Sequence, residues 1–294
     1  MLILNKLEKL DCKTVITIGN FDGVHIGHRK LIEKTKIMAK KLNAKSLVFS
    51  FCPHTLQILK DTSFKTIYTN DERRLILSGL NIDYLLEMPF DFNIAKMKTD
   101  EFLNLIIENL NCIALVIGNN YKFGCDNSNF AMQKYKNKIV IENVESVTFD
   151  NEKLSSSYIR KLVKEKKIEQ LEKLLGAKYF IMEKILHGQK RCVAFPTINF
   201  ITDKNKLLPG DGVYYTTTLI NNYKYKSLTN IGYNPTVENE FRSVETHILD
   251  FSKDVYGQNA IVYFNEFIRG EIKFDSTEKL KAQIQKDIFY VQSK

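Results

Sequence analysis

Short continuous apolar runs alternate with longer amphipathic stretches over the first half of the chain. Thr14–Gly19 (TVITIG), Ser46–Phe51 (SLVFSF), Asp83–Glu87 (DYLLE) and Ile113–Gly118 (IALVIG) read as buried strands. Between them Arg29–Leu42, Asp71–Leu80 and Asp100–Asn109 read as helices, and Thr69-x-x-Glu72 supplies a capping box for the second. This alternation predicts a parallel sheet covered by helices on both faces. In such folds ligands sit at the carboxyl ends of the strands, near a switch in strand order.

A last helix of this half is predicted over Ser157–Leu175, ending at Gly176, a residue suited to a left-handed terminus. The pattern then changes. Tyr179–Leu186, Val213–Ile220, Tyr223–Thr229, Val244–Phe251 and Ala260–Phe267 are short and rich in β-branched and aromatic residues, with Asn221-Asn222 marking a hairpin tip. They predict an antiparallel barrel or sandwich. Glu278–Gln292 reads as a closing helix, with Asp275-x-x-Glu278 as its cap. The domain boundary is placed near residue 177, giving domains 1–177 and 178–294.

Composition narrows the class. The 44% hydrophobic and 26% charged fractions are those of a globular chain, and 294 residues suffice for two cores. No apolar run approaches bilayer length, and Met1–Lys13 mixes Leu and Ile with Lys, Glu and Asp, so a cytoplasmic protein is expected. The five cysteines are scattered without C-x-x-C spacing, against both a disulfide framework and a cysteine zinc site. A formal charge of +9 suits nucleic acid or phosphorylated small molecules, and equally an ordinary solvated surface.

The chemistry concentrates where the first strand meets its helix. Gly19-Asn20-Phe21-Asp22-Gly23-Val24-His25-Ile26-Gly27-His28 places three glycines and two histidines in ten residues. Glycine lets backbone approach a bound group, and a helix start presents unpaired N–H groups to a phosphate. His25 and His28 could both face that phosphate and neutralise developing charge. On the residues alone, two other readings stay open: a metal pair, for which no third ligand stands at diagnostic spacing, and simple turn residues.

The stretch resembles the H-x-G-H signature of nucleotidylyltransferases, and its longer form resembles the bacterial FAD synthetases. Phe51-Cys52-Pro53-His54 resembles that family's F-x-P-H-P turn, with Thr55 replacing the last proline. Ile117-Gly118-Asn119-Asn120-Tyr121-Lys122-Phe123-Gly124 resembles its G-x-D/N-F-x-F-G strand end, and Ser155-Ser156-Ser157-Tyr158-Ile159-Arg160 its S-S-T-x-I-R helix start. The resemblance implies a Rossmann-like domain transferring AMP from ATP to FMN, with Mg²⁺ assisting. It implies catalytic roles for His25 and His28. Gly19, Phe21, Asp22, Gly23, Gly27, Pro53, His54, Asn120, Ser156, Ser157 and Arg160 would bind ATP or flavin. After Gly124 the family carries a basic residue and then glycine, whereas this chain has Cys125-Asp126-Asn127-Ser128-Asn129.

The second half resembles riboflavin kinase nearly end to end, in Phe195-Pro196-Thr197-Ile198-Asn199, Gly212-Val213-Tyr214, Asn230-Ile231-Gly232-Tyr233-Asn234-Pro235-Thr236, Val244-Glu245-Thr246-His247 and Phe267-Ile268-Arg269-Gly270-Glu271. This implies an antiparallel β-barrel kinase with a C-terminal helix, phosphorylating riboflavin to FMN. By resemblance Glu245 is the base; Thr197 and Asn199 hold Mg²⁺; and Gly188, Lys190, Arg191, Pro196, Thr197, Asn199 and Arg269 bind ATP or flavin. The loop His187–Phe195 is about two residues shorter than the family's, and Ala194 stands where glycine is usual. A second reading therefore has the adenylyltransferase alone active. A third, a nucleic-acid-binding module, predicts basic surfaces interleaved with aromatics, whereas Lys161–Lys173 mixes in Glu. The expected partners are the small molecules ATP, riboflavin and FMN, with no nucleic acid and no membrane; self-association is not predicted.

Overall fold

The computed structural model describes residues 1–59, 64–119, 121, 124–126, 134–135, 137–149, 152–186, 195–233 and 242–294. The chain divides into two compact units, Met1–Ser156 and Ser157–Lys294.

The first unit is a six-stranded sheet, every pairing parallel, in the order β1-β4-β3-β2-β5-β6. Its strands are β1 (Leu2–Leu4), β2 (Thr14–Ile18), β3 (Lys45–Cys52), β4 (Tyr84–Pro89), β5 (Cys112–Gly118) and β6 (Val140–Val144). The helices are α1 (Ile26–Lys41), α2 (Thr55–Leu59), α3 (Asn70–Ser78), α4 (Phe92–Lys96) and α5 (Thr99–Leu110). β2 is buried along its whole length. Ile16 and Ile18 pack with Leu47 and Phe49 against Phe102 and Ile106 of α5, while Val15 and Val48 join clusters with Ala39 and Ile32 of α1. Burial on both faces accounts for the unbroken apolar runs. β3 and β5 flank β2 on opposite sides, so the strand order reverses there, and the β2–α1 turn opens at the switch point.

A two-stranded ribbon, β7 (Thr148–Phe149) with β8 (Glu152–Lys153), follows the sheet. Helices α6 (Ser156–Lys164) and α7 (Ile168–Leu175) come next. The sequence predicts one helix here; the structure breaks it at Lys166, whose φ of 62° is left-handed. α7 ends at Gly176 (φ 66°), as expected. The expected boundary was 177, but the compact units part at 156, because α7 packs on a strand of the barrel.

The second unit is a closed antiparallel barrel, β10-β13-β12-β11-β14-β9, with β9 (Phe180–Leu186) returning to β10 (Ile198–Phe200). The others are β11 (Gly212–Ile220), β12 (Tyr223–Tyr233), β13 (Arg242–Ile248) and β14 (Asn259–Arg269). Asn221 and Asn222, at φ 50° and 67°, form the β11–β12 tip. Inside the barrel five fully buried hydroxyls form one chain: Thr218–Ser227 (2.7 Å), Ser227–Thr216 (2.8 Å), Thr216–Thr229 (2.8 Å) and Thr229–Thr246 (2.9 Å). Helix α8 (Thr277–Gln292) lays Ile288 and Val291 on Val213 and Leu228. Its cap is Ser276, which accepts from the Lys279 amide; the expected Asp275 instead pairs with Lys279 Nζ at 2.7 Å. Among the described residues, no helix is long and apolar enough to cross a membrane.

Candidate active sites

Between β2 and α1 the backbone turns through three left-handed residues, Phe21 (φ 48°), Gly23 (φ 86°) and Val24 (φ 40°). At β-branched Val24 this conformation costs about 1–3 kcal/mol. Burial of Phe21 and Val24 among Ile32, Val48 and Leu77 offsets it. Gly23 suits its φ of 86°, which strains any side chain, and a Cβ there would also stand 2.9 Å from Ile67 Cδ1. Three fasteners hold the turn. Asp22 Oδ1 accepts the Ile67 amide at 2.8 Å, and Ser156 Oγ donates to the Asp22 carbonyl at 2.9 Å. Arg73 Nη1 donates to the Asn20 carbonyl at 3.1 Å, while its Nη2 meets the buried Glu87 at 3.0 Å. Glu87 also takes Arg74. Sequence reasoning missed Arg73 and Glu87. The available signal was a paired Arg73-Arg74 early in a helix, with Glu87 at the end of a buried strand run.

His25 caps α1: its backbone is extended and its Nδ1 accepts the His28 amide at 3.3 Å. That bond puts the proton of the neutral ring on Nε2. The two imidazoles stack, centroids 3.7 Å apart at 15°, and a Cβ at Gly27 would sit 3.1 Å from the His25 ring. Burial pushes the His25 pKa down to about 4, against a raising backbone hydrogen bond. Burial and then the neighbouring His25 hold His28 well below the usual imidazole range. Both rings are therefore neutral at pH 7. His28 Nδ1 is buried without a hydrogen-bond partner, an arrangement that calls for a ligand or other occupant.

Beside this turn lies a cavity of about 290 Å³, lined on one side by Asn20, Thr55, Phe51, Phe90 and Phe102. Phe51 meets Phe90 edge-on at 5.1 Å. Asn20 Nδ2 donates to Thr55 Oγ1 at 3.0 Å, and its Oδ1 is buried and unpartnered. An aromatic slot with one orphaned acceptor suits a flat, hydrogen-bonding ring system. His54 organises the neighbouring segment: its Nδ1 accepts the Leu56 amide at 3.1 Å, and the ring lies 4.6 Å from Phe64. Pro53 enters that segment through a cis peptide.

Of the expected adenylyltransferase set, this unit brings together Gly19, Phe21, Asp22, Gly23, His25, Gly27, His28, Pro53, His54 and Ser156. Ser157 and Arg160 fall on α6 in the second unit. Asn120, Gly188, Lys190 and Arg191 lie outside the described residues.

In the barrel, register places Asn199 opposite Glu245 and Asn230 opposite Glu245 on the other side. Alternation along β13 turns Thr246 inward and Glu245 outward. Thr197 stands just before β10, and the preceding Pro196 carbonyl lies 2.8 Å from His247 Nδ1, whose ring is edge-on to Phe195. Asn230 and His247 stood in motifs read from sequence but were given no role there; register puts Asn230 beside Glu245, and His247 reaches the Pro196 carbonyl. Arg269, expected at the ligand, contacts Asp287 of α8 through its Nη2 and Nε at 2.7 and 3.0 Å, and its Nη1 donates to the Gly270 carbonyl. Among the described residues no three His, Cys, Asp or Glu side chains cluster as a metal site.

Fold and turn together define a class: an α/β unit with a histidine-bearing strand-to-helix turn at its switch point, on one chain with a closed antiparallel barrel. Residues 7–158 match the FAD synthetase family and residues 175–293 the riboflavin kinase family. The bifunctional riboflavin kinase/FMN adenylyltransferase of Buchnera aphidicola (from Schizaphis graminum) is 32% identical over 297 residues, covering 97% of this chain and 95% of the relative. That of Escherichia coli K12 is 30% identical, covering 93% and 90%. A Streptococcus pneumoniae crystal structure, described as a macrolide-efflux protein, superposes with a TM-score of 0.89 at 27% identity, covering 99% of each chain. The chain belongs to the bifunctional riboflavin kinase/FMN adenylyltransferase family.

Proposed function

We propose that this chain makes FAD from riboflavin in two ATP-dependent steps, phosphorylation to FMN and then adenylylation. It is a transferase with both a kinase and a nucleotidyltransferase activity. The observation that carries the second step is the stacked, neutral His25–His28 pair at the start of α1, beside a ring-sized cavity. In this reading the flavin ring fills the slot under Phe51 and Phe90, with Asn20 Oδ1 accepting from its polar edge. ATP phosphates lie at the α1 terminus, where His25 Nε2–H donates to the oxygens that gain charge as the FMN phosphate attacks the α-phosphorus and pyrophosphate leaves. The nucleophile is already an anion, so no base is needed. Ser157 and Arg160 are assigned to the ATP phosphates. Asp22 and Ser156, fastened to each other and to Ile67, are assigned to holding the turn.

In the kinase, Glu245 accepts the proton of the ribityl hydroxyl as it attacks the γ-phosphate. Thr197 and Asn199, two residues apart, offer hard oxygen donors, and Asn199 lies opposite Glu245, a set that fits Mg²⁺. The ion would neutralise phosphate charge there. The adenylyltransferase step is assigned to the first domain and the kinase step to the second, expected as 1–177 and 178–294; family matches over residues 7–158 and 175–293 support that order. The kinase match runs through the shortened loop and favours an active kinase. Free thiols at Cys12, Cys52, Cys112 and Cys125 fit a cytoplasmic enzyme.

The test is chromatographic: purified chain with riboflavin, ATP and Mg²⁺, scoring FMN and FAD over time. FAD from riboflavin is expected. FAD from added FMN but not from riboflavin would mean a silent kinase, and no FAD from either flavin would overturn the reading.

A further inference from the structure

Gly124, Cys125 and Asp126 are all fastened to one place, the start of α5. Gly124 has φ 61°, and a Cβ on it would lie 2.3 Å from the Thr99 amide nitrogen and 2.7 Å from the Lys98 carbonyl carbon. Its bare backbone therefore rests on the start of α5. Cys125 donates its amide to the Met97 carbonyl at 3.0 Å, and its Sγ lies 3.1 Å from the Lys96 carbonyl. Asp126 Oδ1 accepts from both the amide (3.0 Å) and the hydroxyl (2.7 Å) of Thr99, a residue with no exposed surface.

α5 has need of such a partner. Its N-cap is Lys98, a side chain with no acceptor, and Glu101 reaches back only to the Lys98 amide at 2.8 Å. A carboxylate supplied from 27 positions away does the work of a cap and meets the positive end of the helix. Both sides of this junction line the ring-sized cavity: Ile94, Ala95 and Met97 from the α4–α5 side, Tyr121 and Gly124 from the segment after β5.

We infer that Asp126 is a positioning residue for FMN, stapling the segment after β5 to the α4–α5 junction and so fixing one wall of the flavin pocket. The inference rests on the adenylyltransferase reading above. Asp126 touches neither substrate; it acts through Gly124 and Tyr121. A slot for a rigid ring tolerates little movement of its wall, so loss of the staple falls on flavin affinity, while the ATP site at α1 stays in place.

Full-length Asp126→Ala and Asp126→Asn are compared with wild type by FMN fluorescence titration, steady-state FAD synthesis and riboflavin phosphorylation. Asp126→Ala raises Kd and KM for FMN about tenfold, the equivalent of one lost hydrogen-bonded contact, with KM for ATP and kinase turnover within about twofold. Asp126→Asn keeps an acceptor oxygen and recovers most of the affinity. An unchanged KM for FMN in Asp126→Ala overturns the inference, as does an equal loss for both substrates that Asp126→Asn fails to rescue. Wild type that forms no FAD from FMN overturns the functional reading instead, and the two failures are distinct because the first is seen only in an active enzyme.

Discussion

His25 joins stability and chemistry in one side chain. Its Nδ1 is occupied by the His28 amide, so the neutral ring offers Nε2–H outward, and burial keeps it neutral down to about pH 4. In the unfolded chain the same ring takes its proton near pH 6.5. As pH falls from 6.5 toward 4 the unfolded state gains protons first, so stability drops across that window and levels off below it. The difference is worth about 3 kcal/mol. His25→Asn is expected to make this segment of the urea-midpoint profile shallower between pH 7 and pH 4.5, leaving the slope that His28 contributes. The same variant lowers kcat for FAD formation by about 10²–10³-fold, the usual cost of losing one donor to developing phosphate charge. The glycines and histidines of this turn were legible in the sequence because their chemistry is local. Asp22 and Ser156 were legible only as site residues: their partners, Ile67 and the Asp22 carbonyl, come from distant positions that no spacing encodes.

Elements show the same division between local and distant signals. The Thr69–Glu72 box was readable and is present, with the Glu72 carboxylate accepting the Thr69 amide at 2.8 Å. At α8 two acceptors stood side by side, and only backbone geometry chose Ser276 over Asp275. Ser276→Ala is expected to cost about 1 kcal/mol in chemical denaturation, whereas Asp275→Ala, which removes only an exposed pair, leaves the denaturation midpoint unchanged. β6 escaped notice because Val140–Val144 carries Glu142 and Asn143 at its centre, as an edge strand can. Arg269 was assigned to ligand by motif, yet it joins the end of β14 to α8 through a buried Asp287. Arg269→Ala is expected to destabilise by about 3–5 kcal/mol, and pairing Arg269→Met with Asp287→Leu restores most of it. A rise in KM for ATP without loss of stability would return Arg269 to the ligand site.

The molecule carries its two kinds of sheet in sequence, one governed by strand-to-helix turns and one by cross-strand register, and the first was easier to read. Glu245 was visible in the sequence, but its row with Asn199 and Asn230 exists only once β10, β13 and β12 align. The two reactions are expected to separate by point substitution in the intact chain. His25→Asn accumulates FMN from riboflavin, whereas Glu245→Gln slows that step by about 10²-fold or more and still converts added FMN to FAD. Time courses with each flavin read both outcomes. The hydroxyl chain inside the barrel bears on how this sequence can drift. Thr218 is held in the chain by Ser227 and Thr246 by Thr229, so an apolar residue at Ser227 strands Thr218, and one at Thr229 strands Thr246, at about 1–3 kcal/mol, while replacing both members of a pair strands neither. The interior thus carries a rule of descent: lineages that lose Ser227 should have lost Thr218 too, lineages that lose Thr229 should have lost Thr246, and the reverse order should be the common one.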